Sequence, residues 1–246
     1  MTFWDHLDEL KKVIFRSLAV YCCVSFALFF FKEFLFDGII LAPTRSDFFI
    51  YRILGVEVNL KLVNIEMTAQ FMSHIKVSLI VALIACIPYF LWEIWRFVTP
   101  ALYPGEIKAA RPAFIFATFL FWAGVVVGYC LVLPLMVKFF QDYTVSDTIV
   151  NTISLSSYLS TVSSTVILFG LTFELPVLFA LLSKLGIITR RTLTSGWRYA
   201  VLTIVVLAAI ITPSGDPFSL FVVSLPLFLL YLLSIVVCKK EKEETI

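Results

Sequence analysis

Apolar residues fall into six long runs, and charged residues, proline and glycine collect between them. The runs are roughly Val13 to Phe31 (13-31), Phe71 to Phe97 (71-97), Pro112 to Val137 (112-137), Tyr158 to Ser183 (158-183), Trp197 to Ile211 (197-211) and Phe218 to Val237 (218-237). A helix needs about 20 apolar residues to cross a hydrocarbon core of about 30 Å, so each run predicts a membrane span. The fifth, at about 15 residues, reaches only about 22 Å. Either it begins earlier, near Thr192, or the turn from Thr212 to Pro217 lies below the outer surface and the bilayer thins around it; the second is favoured. Pro88, Pro134, Pro176 and Pro226 each remove a backbone donor and predict bent helices. The expected fold is an all-α polytopic membrane protein, one integral membrane domain over residues 1-246. Its six transmembrane helices form a bent, concave bundle, with spans five and six short.

The flanking segments add three elements. In residues 1-12, Phe3, Leu7 and Leu10 form with Ile14 an apolar stripe at helical spacing, while Asp5, Asp8, Glu9 and Lys12 point elsewhere. Thr2 can cap this segment, which predicts an amphipathic interfacial helix leading into the first span. Residues 32-70 form a long outer loop. Within it Val56, Val58, Leu60 and Leu62 alternate with Glu57, Asn59 and Lys61, which predicts a short half-buried strand in a cap over the bundle. Residues 238-246 form a polar tail.

Thirteen of the 19 Lys and Arg residues, among them Lys11, Lys12, Arg16, Arg96 and Arg198, fall on one side if the N-terminus is cytoplasmic. The positive-inside rule therefore predicts both termini in the cytoplasm, with the first span kept as an anchor and no cleaved signal peptide. Composition agrees with a lipid environment: 61% of residues are hydrophobic and 15% charged. A formal net charge of +2 gives no electrostatic footprint for nucleic acid. The five cysteines lie in or beside apolar runs without metal-ligand spacing and read as packing residues. Gly124 and Gly128 fit a small-xxx-small pattern for close helix approach, within the chain in preference to a dimer. No phosphate loop, zinc motif or nucleophile elbow is found, so no enzyme activity, metal or cofactor is expected, and energy must come from elsewhere.

Glu174 is the only charged side chain between Tyr158 and Ser183. A carboxyl group there must face a protein-lined or wet cavity, where it can hold a proton or a polar partner segment. Lys76 lies too far along the bilayer normal for a direct bridge, about 10 Å by helical rise, which leaves water or hydroxyls such as Thr172 and Ser164 as partners. One reading is a proton-coupled secondary transporter, although no internal repeat is evident.

Several motifs together carry a resemblance. His6-Leu7-Asp8-Glu9-Leu10-Lys11-Lys12, Ala42-Pro43, Trp95 to Tyr103, Glu106, Gly128-Tyr129 with Pro134 and Phe139-Phe140, Ser157 to Ser160, Phe169 to Pro176, and Thr212-Pro213 with Asp216 resemble the TatC family in order along nearly the whole chain. TatC is the multispanning core subunit of the twin-arginine (Tat) protein translocase. The resemblance implies a receptor for twin-arginine signal peptides of folded precursor proteins in the bacterial cytoplasmic (inner) membrane. It also implies use of the proton-motive force and assembly with single-span TatA-type and TatB-type subunits and with further copies of the chain.

Carried over residue by residue, it makes Glu9 and Glu106 the signal-peptide carboxylates, with support from Lys11, Phe97 and Tyr103. Glu174 becomes the intramembrane polar site, and Pro43 and Asp216 belong to the periplasmic cap and turn. Two carboxylates can each accept a forked contact from a guanidinium, which an ammonium cannot reproduce. The chain departs from the family at Lys11, where arginine is usual, at Ile107, where a basic residue is common, and at Leu220, where glutamine is common. The first two bear on peptide binding and the third on the last hairpin.

Overall fold

The computed structural model describes residues 3–101, 104–146, 148, 151–184, 186–212 and 215–238; the side chains of residues 3, 5, 101, 104–106 and 108–110 are not described. The chain opens with α1 (Phe3–Phe30), a single helix of 28 residues. The expected interfacial helix and first span are thus one continuous element. No glycine or proline interrupts it, and Asp8–Lys11 and Glu9–Lys12 ion pairs at 3.4 and 2.8 Å reinforce the turns that join its polar start to its apolar body.

The cap follows as a π-helical turn (Phe34–Ile40), a 3-10 turn (Ala42–Thr44) and the short α2 (Phe49–Leu54), closed by Gly55 at φ 64°. Glycine adopts this left-handed conformation without a Cβ penalty. The strand expected from Val56 to Leu62 is not formed over that length. Leu60 donates its N–H to the Thr44 carbonyl at 3.1 Å, Val58 is fully buried, and the segment lies as coil inside the cap. Of the expected segment only its last residue, Leu62, joins a strand, β1 (Leu62–Val63). It pairs in parallel with β2 (Ile153–Ser154), joining two outer loops.

The remaining helices are α3 (Ala69–Val98), α4 (Pro104–Val127), α5 (Leu133–Asp142), α6 (Leu155–Thr172), α7 (Leu175–Lys184), α8 (Arg190–Ser195), α9 (Trp197–Ile211) and α10 (Pro217–Val237). A π-helical turn over Gly128–Val132 joins α4 to α5. Among the described residues, five segments are long and apolar enough to cross a membrane: His6–Phe30, Ala69–Val98, Arg111–Asp142, Leu155–Lys184 and Pro217–Val237. The sixth span is α9, with 15 residues. Gly196 separates it from α8, so no continuous helix reaches back to Thr192. The last helix is not short: α10 has 21 residues, about 31 Å.

α1 packs on α3, α4 on α6, and α9 and α10 form a hairpin that leans on α7. Gly124 and Gly128 meet α6 inside the chain, and a Cβ on Gly124 would come within 2.6 Å of the Phe169 carbonyl. One apolar core joins the cap to α5 and α6 through Leu35, Val58, Leu133 and Leu159; another joins α6, α9 and α10 through Phe169, Ala208 and Val223. Large side chains such as Phe15, Phe26, Phe116, Phe119 and Phe221 stay exposed on the outer faces, as lipid-facing residues do.

Three phenols pin the cap. Tyr51 Oη donates to the Pro43 carbonyl at 2.8 Å, Tyr158 Oη to the Ile40 carbonyl at 2.6 Å, and Tyr129 Oη to the Ile39 carbonyl. These carbonyls belong to the turns after α1, where regular helical bonding lapses, and the phenols satisfy acceptors that would otherwise be buried bare. Tyr158→Phe leaves the Ile40 carbonyl without its phenol, and is expected to cost about 1–3 kcal/mol of stability. Thermal unfolding in nanodiscs, beside an exposed Tyr199→Phe control, measures it.

Candidate functional site

The candidate carboxyl groups gather at the end of the bundle where α1 begins and α3 finishes, and at the break between α6 and α7. At the first, the His6 ring stacks on Phe97 with centroids 4.2 Å apart and planes at 24°. Glu9 lies one turn further along α1. Its Oε1 receives Lys12 Nζ at 2.8 Å, and its Oε2 lies 3.8 Å from Arg16 Nη2. A cavity of about 230 Å³ opens beside these groups, lined by His6, Glu9, Arg16, Arg96, Phe97 and Pro100. Lys11, expected to support Glu9, pairs instead with Asp8 at 3.4 Å. The i, i+3 spacing that joins Lys12 to Glu9 sends Lys11 to Asp8, so Lys12 and Arg16 hold Glu9.

Glu106 begins its contribution from the first turn of α4, whose backbone is described while its side chain is not. Tyr103 lies outside the described residues.

Sequence reasoning missed Glu93. This α3 carboxyl is 1% exposed; Tyr89 Oη donates to its Oε1 at 2.9 Å, and Arg16 Nε lies 3.8 Å away. Its Oε2 is buried with no hydrogen-bond partner. The signal was available, because Glu93 lies inside the apolar run from Phe71 to Phe97 as Glu174 lies inside its own.

Glu174 owes its position to Pro176 and its surroundings. Proline at 176 cannot donate to the Thr172 carbonyl, and the helix breaks at Phe173–Glu174 before resuming as α7. Glu174 is half-buried, and its Oε1 is sealed from solvent without a hydrogen-bond partner. The hydroxyls expected to serve it are spent on their own helix. Thr172 Oγ1 donates to the Leu168 carbonyl at 2.7 Å, and Ser164 Oγ to the Thr161 carbonyl at 3.2 Å. Serine and threonine inside a helix find the preceding turn's carbonyls closer than any distant acceptor. Lys76 lines a different cavity, with Ser73, Ser160 and Ser164.

Pro43 is buried in the cap. Asp216 accepts from the Ser219 N–H at 2.8 Å and caps α10; Pro213 and Ser214 of the same turn lie outside the described residues.

Six helical crossings, a cap on one end and carboxyl groups at the other end and at a helix break define a polytopic helical membrane protein with polar sites in or beside the bilayer. Residues 5–226 match the family described as Sec-independent protein translocase protein (TatC), and the chain belongs to this family. It is 34% identical to the Sec-independent protein translocase protein TatC of Deinococcus radiodurans, covering 96% of this chain and 85% of that one. It is also 34% identical to the TatC of Carboxydothermus hydrogenoformans, covering 99% and 96%. The crystal structure of the twin-arginine translocase receptor TatC is similar with a TM-score of 0.77 at 31% identity, covering 94% of this chain and 97% of that one.

The His6–Phe97 stack fixes how the start of α1 meets the end of α3. A His6→Ala, Phe97→Ala double-mutant cycle on thermal stability is expected to return a coupling of about 0.5–1.5 kcal/mol. Additive losses would mean that the stack does not hold the two helix ends together.

Proposed function

We propose that this chain is the signal-peptide receptor and core subunit of a twin-arginine translocase, exporting folded proteins across the bacterial cytoplasmic membrane. The observation that carries the reading is the Glu9 cluster. In a TatC-family chain, a carboxylate and an aromatic shelf flank a cavity large enough for guanidinium groups, at the end of the bundle where α4, with Glu106 in its first turn, begins. Glu9 and Glu106 take the two arginines with support from Phe97 and Tyr103, and Lys12 and Arg16 keep Glu9 in place before the peptide arrives. A guanidinium binds carboxylates through a planar fork; an ammonium, as a point charge, gives up half of those contacts.

Both termini lie in the cytoplasm on this reading, in line with the charge asymmetry of the loops, and the cap with Pro43 and the Asp216 turn faces the other side. Glu174 then meets a polar group of a partner, a TatA-type or TatB-type single-span subunit or the inserted signal peptide, since its own chain leaves Oε1 bare. The proton-motive force supplies the energy, and further copies of the chain complete the assembly.

Binding of a labelled twin-arginine peptide to the protein in lipid nanodiscs tests the receptor. Glu9→Ala, Glu106→Ala and a twin-lysine peptide are each expected to lose at least about tenfold in affinity. Equal binding throughout overturns the reading and returns attention to proton flux through Glu174. A separate outcome is expected for Glu174→Leu: stability equal to or above that of the parent, since a buried oxygen without a partner is removed, with peptide binding kept and export of a reporter abolished. Thermal unfolding and an export assay read the two effects.

A further inference from the structure

Arg16 stands between two carboxyl groups, and it fits neither of them closely. Its Nη2 is 3.8 Å from Glu9 Oε2 and its Nε is 3.8 Å from Glu93 Oε1, while Nε donates to the Lys12 carbonyl at 3.2 Å. Both carboxyl contacts are too long to be hydrogen bonds, and no forked pair is closed. Arg16 is 36% exposed, whereas Glu93 is 1% exposed with Oε2 unpartnered. An ion pair that serves only to pin two helices together gains from burial when its hydrogen bonds are complete, and here they are not. Nor is it the only link between the helices, because α1 packs along α3 over many residues.

We propose that Glu93 is a third recognition carboxylate, and that Arg16 is a resident guanidinium which occupies the gap between Glu9 and Glu93 until an arginine of the signal peptide displaces it. The proposal rests on the receptor reading and deepens it. Glu93 precedes Phe97 by one turn of α3, about 6 Å along the axis; it does not line the cavity beside Glu9 itself but lies behind Arg16, which does. The position of Arg16 demonstrates that a single guanidinium placed there lies within ion-pair reach of both carboxyl groups.

An incoming arginine, not tethered to the same helix as Glu9, can turn its fork toward Glu93 Oε2 and supply the missing donor. Arg16 swings outward into the water it already touches. One guanidinium replaces another, so the charge in the gap is unchanged and the exchange avoids stripping a carboxylate of its partner. A lysine brings a compact charge that cannot bridge both groups, which adds to discrimination against twin-lysine peptides. Tyr89 Oη keeps Glu93 Oε1 oriented throughout, and Lys12 and Arg96 are the other cations facing Glu9.

The test measures binding of twin-arginine and twin-lysine peptides to full-length protein in nanodiscs, for the parent, Glu93→Gln, Arg16→Gln and the double variant, with thermal unfolding of each. Glu93→Gln preserves shape and the Tyr89 bond, and is expected to weaken twin-arginine binding roughly tenfold while leaving twin-lysine binding nearly unchanged. Arg16→Gln is expected to act in the opposite sense, tightening twin-arginine binding several-fold, and this gain should vanish when Glu93→Gln is added. Twin-arginine binding that is unaltered by Glu93→Gln, or weakened by Arg16→Gln, overturns the proposal. If Glu93→Gln fails to fold, the sign of the Arg16→Gln effect decides by itself. A parent protein that does not prefer the twin-arginine peptide would instead overturn the receptor reading, so the two failures are distinct.

Discussion

In the interior of a bilayer no water is available to a backbone or side-chain polar group, and every departure from regular helix must be answered by the chain itself. The departures here are placed by proline and glycine. The π-helical turn before Pro134 and the break before Pro176 interrupt two of the crossings, and the step at Gly196 sets where α9 begins. After α1 the chain turns irregularly inside the cap, and the phenols of Tyr51, Tyr129 and Tyr158 come from three different parts of the sequence to meet its carbonyls. The break at Phe173–Glu174 is answered less completely, because one carboxyl oxygen is left bare.

The two polar regions differ in how their charges are balanced. At the α1–α3 end, Glu9 is surrounded by cations within the chain, and its electrostatics are those of a partly wet surface where pairs exchange readily. Glu93 is drawn into the same network through Arg16 but lies in a dry setting, where an unpaired oxygen is costly. Among the described residues Glu174 has no such network. The gradient runs from charges already answered at the surface to acceptors that await a partner in the interior.

Much of the architecture is legible in sequence because lipid is a demanding solvent: Phe71 to Phe97 and Phe218 to Val237 have few alternatives to crossing it. Glu174 announces itself for the same reason. What sequence could not reveal are contacts set by how helices lie beside one another. The His6–Phe97 stack joins residues far apart in the chain, and Arg16 meets Glu93 only because α1 runs along α3. The division of labour between Lys11 and Lys12 depends on a phase around α1 that a resemblance does not carry. Alternation over Val56 to Leu62 misled because a buried coil inside a cap can alternate in burial without pairing; the two-residue strand that does form pairs with a partner about ninety residues away.

That small parallel ladder, Leu62 with Ile153 and Val63 with Ser154, ties the loop before α3 to the loop before α6. Together with the phenols it fastens one rim of the bundle, while the opposite rim is joined through the side chains of α1 and α3 and the short α8. A bundle stapled at one rim behaves mechanically like a pair of tongs: displacement is smallest at the fastened end and grows with distance from it. A segment docking at the cavity beside Glu9 would therefore load the arms far from the fastened rim, where a given force has its longest lever.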